Sequence, residues 1–469
     1  LNQDIMSAPS GAFFIFWRQM NISALAGLIF FLAFAGLILI HEFGHFIVSR
    51  WSGVEVEEFG VGLPPRGWRF WRAKGSLTVG TRALVIPANF DLPFDEKSAL
   101  GRGVDVTARR AGDRLVLDSI ALAASEDGQF RASHPEPTES PDGKLRFDGI
   151  LQRVSQGTEF TLNWLPLGGF VRPKGENDPN VQGGLAAASP WKRLAVLFAG
   201  PTMNLIAGLL IFIFLVRVDG YHDLSRVMLA EVAPGSPAAS AGMQAGDVVT
   251  QAAGQPVTDF DSLSAIIKAH LDQPVQFVLQ RGAETVTVTA TPRSNPPQGQ
   301  GAVGIRMSEY VQPVTTWGEA FRYAAVSVGD QARALLLLPA KLIRGTLAPE
   351  EGRFIGLKGI YDIFNLSVSA DVQSREPEPS TPAAPQGPTY STLYLIATLT
   401  ISIGLFNLFP FPALDGGRII FVLPELITRR RVPHQFENAV HATGMIVLLL
   451  FMLYINVMDF VNPIVLPAP

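Results

Sequence analysis

The sequence contains no cysteine. Disulfides and thiolate metal ligands are both excluded, so any metal must be held by His, Asp or Glu. Charge is scarce as well: 17% of the 469 residues are charged against 48% hydrophobic, and the formal net charge is −4. The first balance leans away from an ordinary soluble protein, and the second lacks the basic excess that nucleic-acid binding requires. With only seven histidines, the search for imidazole ligands is short. The chain begins with Leu rather than Met, which reads as a trimmed start.

What the chain has in quantity is apolar runs. A bilayer is crossed by about 20 apolar residues in helix, and four stretches qualify, at residues 21–50, 192–217, 389–428 and 435–466, the third interrupted by Pro410 and Pro412. The first lacks the basic leading region of a removable signal and carries the most distinctive residues of the chain, so it reads as a retained span. Arg50, Arg66, Arg69 and Arg72 follow the first run, Lys192 and Arg193 precede the second, and Arg429, Arg430 and Arg431 follow the third. Basic residues are retained in the cytoplasm, so the three clusters share that side, and the termini and the segment between the second and third runs lie outside it. The expected fold is a polytopic α-helical protein of the inner or plasma membrane, with about four transmembrane helices, membrane lipid as its surroundings and no nucleic-acid partner.

Between the runs, residues 51–191 form a cytoplasmic loop. Within it, residues 75–156 are polar and strand-like and read as a β-rich insertion, and residues 157–175 carry EFTLNW and PLGGFVR as membrane-associated strands. Residues 223–310 show turns at Gly and Pro, short β-branched runs, a helix opening at Asp259 or Asp261, and a hairpin turning at Arg281-Gly282. An amphipathic helix at 316–345 suits a membrane surface, and residues 374–388 are a Pro-rich linker.

The chemistry concentrates in LILIHEFGHFIVSR, residues 37–50. On a helix, positions i and i+4 share a face, so His41 and His45 present imidazoles to one ion while Glu42 stands beside them as a general base. Ionisable groups inside a membrane are costly and usually functional, which disfavours a pair of merely packed histidines. Catalytic zinc takes three protein ligands and leaves a position open. Glu55, Glu57 and Glu58 follow the motif but lie beyond Arg50 and Trp51. A ligand at the same depth as His41, about 14 Å along the helix from Arg50, suits better, and Asp415 in FNLFPFPALDGGRII meets that requirement.

HEFGH in a first span, AGPTMN in a second and NLFPFPALDGG in a third resemble the site-2 protease family of intramembrane zinc metalloproteases, in its bacterial regulator-of-sigma-E branch. The family pattern is met by Asn407, Pro410, Pro412, Leu414, Asp415 and Gly416, and its membrane-associated strand by PLGGFVR. GSPAASAGMQAGD with GQPV downstream resembles a PDZ domain, which would be an extracytoplasmic α+β module. A single such domain is evident. The resemblance implies zinc held by His41, His45 and Asp415, Glu42 as the base, Asn407 and Asn204 as substrate-supporting amides, and Gly168 and Gly169 in a strand that receives substrate. It also implies a single-span membrane substrate cut after a prior cleavage, an anti-sigma factor or a remnant signal peptide. Two other readings are a non-enzymatic zinc-binding PDZ scaffold, which would be expected to close its zinc with four ligands, and a zinc transporter, which would need polar residues along a path.

Overall fold

The computed structural model describes residues 22–123, 136–345, 354–375 and 389–463. The chain divides into two compact units, residues 1–209 with 328–469, and residues 210–327. The helices longer than one turn are α1 (Ile22–Ser52), α2 (Pro190–Asp219), α3 (Phe260–Ala269), α4 (Trp317–Arg344), α5 (Leu357–Gln373), α6 (Ser391–Asn407), α7 (Asp415–Thr428) and α8 (His434–Val461). By length and composition α1, α2 and α8 are apolar enough to cross a membrane, and α6 is a shorter apolar helix. Most of α1 and α8 is not buried by protein, as expected of helices whose solvent is lipid.

The third apolar run is not one helix. It breaks between Asn407 and Asp415, where Pro410 and Pro412 lack the amide hydrogen that a helix needs and push the residues before them out of the α region. Irregular backbone at membrane depth survives where protein covers it. Here that reversal carries the LDGG motif.

Helix α5 has no counterpart among the apolar runs of the sequence. Phe364 and Val368 are buried, and Phe30 of α1 meets Tyr361 and Phe364 edge-on at 5.8 and 5.4 Å between ring centres. Its first turn is capped from α8, where Asn456 Oδ1 accepts from Leu357 N and Asp459 Oδ2 from Gly359 N, both at 2.9 Å. Its own Asp371 in turn caps α6, accepting from Ser391 N at 2.8 Å and Thr392 N at 3.0 Å. Helix N-termini leave amide hydrogens unpaired and favour negative charge, so buried carboxylates are suited to these ends. Residues 376–388 of the Pro-rich linker and 464–466 of the last run lie outside the described residues.

Two β structures follow α1. Strands β1 (Val56–Arg72) and β8 (Glu159–Pro173) pair twice, because each is long enough to fold back: Phe59 faces both Val171 and Phe160, and Arg72 faces Glu159. Residues 169–173 form one border of this sheet. Trp68 and Trp164 are exposed on it, with Trp51 at the end of α1, as suits a water–bilayer boundary. Between them come β2 (Gly75–Val79), β3 (Arg82–Ile86), β4 (Gly103–Ala111), β5 (Arg114–Leu122), β6 (Thr138–Glu139) and β7 (Leu145–Ser155). Their order is β2-β3-β5-β4-β7-β6, and an additional β2–β7 pairing closes the first five into a ring. Leu77, Leu84, Leu117, Phe147 and Leu151 fill the inside of this small barrel.

The second unit holds β9 (Tyr221–Val232), β10 (Val248–Ala252), β11 (Gln255–Pro256), β12 (Val275–Arg281), β13 (Glu284–Ala290) and β14 (Ile305–Gln312), in the order β13-β12-β10-β9-β14. Val227, Leu229, Leu263, Phe277 and Leu279 form its core. Helix α3 opens at Asp259, whose side chain accepts from Ser262 N at 2.7 Å. The hairpin turns one residue later than expected. Arg281 is still paired with Glu284 across the ladder, and its guanidinium is anchored on Asp247 at 2.7 Å.

Candidate metal centre

His41 and His45 project from one face of α1, with their Nε2 atoms 3.1 Å apart. Oδ2 of Asp415, the first residue of α7, lies 3.1 Å from Nε2 of His41 and 3.4 Å from Nε2 of His45. The three donor atoms thus form a nearly equilateral triangle. Tetrahedral zinc with bonds of 2.0–2.1 Å places neighbouring donors about 3.3 Å apart, so these residues fit that ion. No other such cluster of His, Asp or Glu occurs among the described residues.

The remaining ring nitrogens are held by α2. His45 Nδ1 lies 2.7 Å from the carbonyl of Val196, an acceptor only, so Nδ1 carries the hydrogen and Nε2 keeps its lone pair for metal. His41 Nδ1 lies 3.4 Å from the amide of Asn204, which is completely buried and whose Oδ1 has no partner. Turning that amide over pairs Oδ1 with the Nδ1 hydrogen and settles both groups, an orientation that hydrogen-bond logic decides. Gly200 completes the wall. A Cβ there would stand 2.6 Å from His41 Nε2 and nearer still to His45 Nε2, in the space a metal needs.

Asp415 is placed by a tight reversal. Ala413 has φ +82°, a region that costs a non-glycine residue of order 1–3 kcal/mol. Its N–H donates to Nδ1 of His441 on α8 at 3.0 Å. Side chains at Gly416 and Gly417 would collide with the carbonyls of Leu408, Phe409 and Phe411, which is the physical content of the paired glycines. Ion pairs of Arg418 with Glu176 and of Arg193 with Glu425 fasten α7 to the loop after β8 and to α2. Leu194, Leu197, Ile419 and Val422 pack beneath.

Glu42 meets the sheet. Its Oε2 accepts the backbone N–H of Val171 at 3.0 Å. Gly168, at φ +69°, and Gly169 are buried where β8 crosses α1: side chains on them would strike Ile38 and Leu39. The glycines are there for close approach. Asn407, the last residue of α6, is half-buried, and no hydrogen bond joins it to the triad among the described residues. Glu55 and Glu58 are committed elsewhere, Glu55 to Arg153 and Lys174 at 2.6 and 2.8 Å, and Glu58 to Arg66 and Arg172 at 3.1 Å each. His441, Gly200 and the Val196 carbonyl are site components that the sequence alone does not reveal. His441 has no histidine three or four residues away to form a ligand pair, and a glycine or a carbonyl leaves no chemical signature.

The chain matches peptidase family M50 over residues 29–85 and 145–451. Zinc metalloprotease RasP of Oceanobacillus iheyensis is 26% identical over 91% of this chain and 96% of its own length. The regulator of sigma-W protease RasP of Bacillus subtilis is 24% identical over the same shares. Metalloprotease MmpA of Caulobacter vibrioides is 27% identical over 65% of this chain and 83% of its own. Among solved structures, the PDZ domain of an SdrC-like protein from Listeria monocytogenes aligns with 17% of this chain and 85% of that one, at 20% identity and a TM-score of 0.16. A triangle of zinc donors set among apolar helices and a family match over most of the chain agree: the protein belongs to peptidase family M50 and is a zinc metalloendopeptidase of the site-2 protease type.

Proposed function

We propose that His41, His45 and Asp415 hold the catalytic zinc, that Glu42 is the general base, and that the enzyme hydrolyses a peptide bond within the transmembrane segment of a single-span membrane protein. The observation that carries this reading is the donor triangle, with Glu42 on the adjacent helical position. Zinc supplies Lewis acidity, polarising the scissile carbonyl and making water a competent nucleophile near neutral pH. One oxygen of Glu42 is occupied by Val171 N–H, which fixes the carboxylate and leaves the other oxygen to take the proton of the attacking water and pass it to the leaving amine. Asn204 is a positioning residue for His41 rather than a substrate contact, because it is wholly buried. Asn407 supports the substrate or its developing oxyanion.

A peptide bond in a helix is shielded by its own hydrogen bonds, so the substrate must be unwound locally. The border at residues 169–173 offers an extended partner beside Glu42, and strand addition to such a border is a recurring mode of recognition. The Arg clusters support a cytoplasmic position for the catalytic end of α1 and the β1–β8 sheet and an extracytoplasmic one for the second unit, a single PDZ-like domain. There it acts on a substrate already shortened by another protease, either as a size filter or by binding the new carboxyl terminus. An anti-sigma factor or a remnant signal peptide fits this description.

The test is zinc analysis of the purified protein with cleavage of a synthetic transmembrane peptide, comparing the parent with Glu42→Gln and Asp415→Ala. Glu42→Gln should keep zinc and lose turnover, and Asp415→Ala should lose both. Retained zinc and cleavage in Asp415→Ala would refute the ligand assignment, and full turnover in Glu42→Gln would refute the base.

A further inference from the structure

A cleft of about 430 Å³ opens between the end of α1 and the β1–β8 sheet. That volume is within the range of ligand sites. Phe46, Ile47 and Trp51 line it from α1, and Trp71 and Phe160 from the sheet. Phe160 meets Phe46 edge-on at 5.7 Å and lies tilted against Trp71 at 4.9 Å between ring centres, so the floor is aromatic. Trp51 is 83% exposed and Trp71 43%, which leaves two large rings with apolar surface for a ligand to cover.

A cation stands at this cleft, and no acidic residue lines it. Arg50 is exposed there, and among the described residues no carboxylate pairs with its guanidinium. Lys192 of α2 is likewise exposed, its Nζ 4.0 Å from where a side chain on Gly53 would begin. Elsewhere on the sheet the arginines are answered: Arg66 and Arg172 reach Glu58, and Arg69 and Arg72 reach Asp91. An unanswered arginine beside an aromatic floor calls for a ligand that is apolar along one part and anionic at the other. The flank of a membrane-spanning polypeptide is a poor match, because its cytoplasmic residues are enriched in Lys and Arg. An anionic phospholipid has both parts, and basic groups at a membrane surface attract it.

We propose that the cleft binds one anionic phospholipid, its acyl part against Phe46, Trp71 and Phe160 and its phosphate at Arg50. The exposed Trp51, Trp68 and Trp164 suit a water–bilayer boundary, the depth at which a headgroup lies. Assignment to the cytoplasmic leaflet rests on the proposed orientation, whereas the site itself depends on neither the orientation nor the zinc ligands. Phe59 of β1 is paired with Phe160 on one side and with Val171 on the other. The bound lipid therefore packs against the same sheet whose Val171 N–H fixes Glu42.

The test uses the full-length protein, delipidated in a non-ionic detergent and titrated with dioleoyl-phosphatidylglycerol or dioleoyl-phosphatidylcholine, with bound lipid counted by native mass spectrometry. The expected result is one phosphatidylglycerol bound about fivefold more tightly than phosphatidylcholine at low salt, a preference that shrinks as salt screens it. Arg50→Gln should remove the preference, Arg50→Lys should keep most of it, and Trp71→Ala should weaken the binding of both lipids. Equal binding of the two lipids by the parent, or a preference that survives in Arg50→Gln, overturns the inference. Displacement of the lipid by inorganic phosphate at matched ionic strength would assign the site to a free anion and overturn it as well. Binding in micelles is read without turnover, so a failure of the catalytic reading, such as retained zinc in Asp415→Ala, leaves this result standing.

Discussion

The backbone N–H of Val171 donates to Oε2 of Glu42 at 3.0 Å. The border of the β1–β8 sheet and the proposed base are thereby one mechanical unit. A hydrogen bond to a charged group contributes about 1.5–3 kcal/mol. Val171→Pro removes the donor, and kcat/KM should fall by roughly 10- to 100-fold with zinc content unchanged. Val171→Ala, which keeps the N–H, should cleave nearly as the parent does. Equal turnover of the proline variant and the parent would separate the sheet from the base.

Gly200 predicts a different failure. Its Cβ would enter the space between the two imidazoles, so Gly200→Ala should lower zinc occupancy while α2, an interior for which alanine is favourable, stays helical. Zinc analysis against circular dichroism distinguishes the two. Full occupancy with normal cleavage would show that the wall yields more easily than this geometry implies.

His441 holds the strained peptide at Ala413. His441→Ala should weaken zinc binding by about 10- to 100-fold, the usual effect of losing an outer-shell partner, because Asp415 is two residues on. Ala413→Gly should restore much of it in that background, since glycine adopts positive φ without strain. Competition with a chelator measures both, and a double variant no better than His441→Ala would refute the coupling.

His222 gives the second unit a pH dependence. It is hydrogen-bonded to Glu309 at 2.9 Å and to Asp219 at 3.1 Å, and the Glu309 carboxylate leads in raising its pKa above the ordinary value, against the opposing effect of burial. A folded pKa above the unfolded one stabilises fully below the unfolded value and is lost as pH rises through the folded value. Hydrogen exchange in β9 and β14, corrected for its intrinsic pH dependence, should show protection falling as pH rises above about 6.5, the ordinary histidine value. His222→Asn should flatten that slope.

The parts legible in sequence are those where chemistry or periodicity repeats. HEFGH reads as two ligands and a base because i and i+4 share a helical face, and Asp415 because a carboxylate at a membrane-embedded reversal is costly unless it serves a purpose. Helix α5 offers no apolar run to mark it, because Lys358, Asp362 and Asp371 interrupt its apolar residues, and its start is set by Asp459 of α8, a partner that no local pattern records. The barrel's strands alternate visibly, but its closure depends on β2 meeting β7 some 70 residues later, which no local pattern records. The hairpin turn moved by one residue because Arg281 obeys Asp247 rather than its own turn chemistry.

His41 and Asp415 stand 374 positions apart. A ribosome feeding this chain into the bilayer releases the two imidazoles and the base early, and the carboxylate only after the barrel, the second unit and the linker have been made. Until then the proposed ligand set is incomplete. On that assignment a partly inserted chain has no cutting centre to turn on the helices beside it, and the capacity to cleave arrives only with the last third of the synthesis.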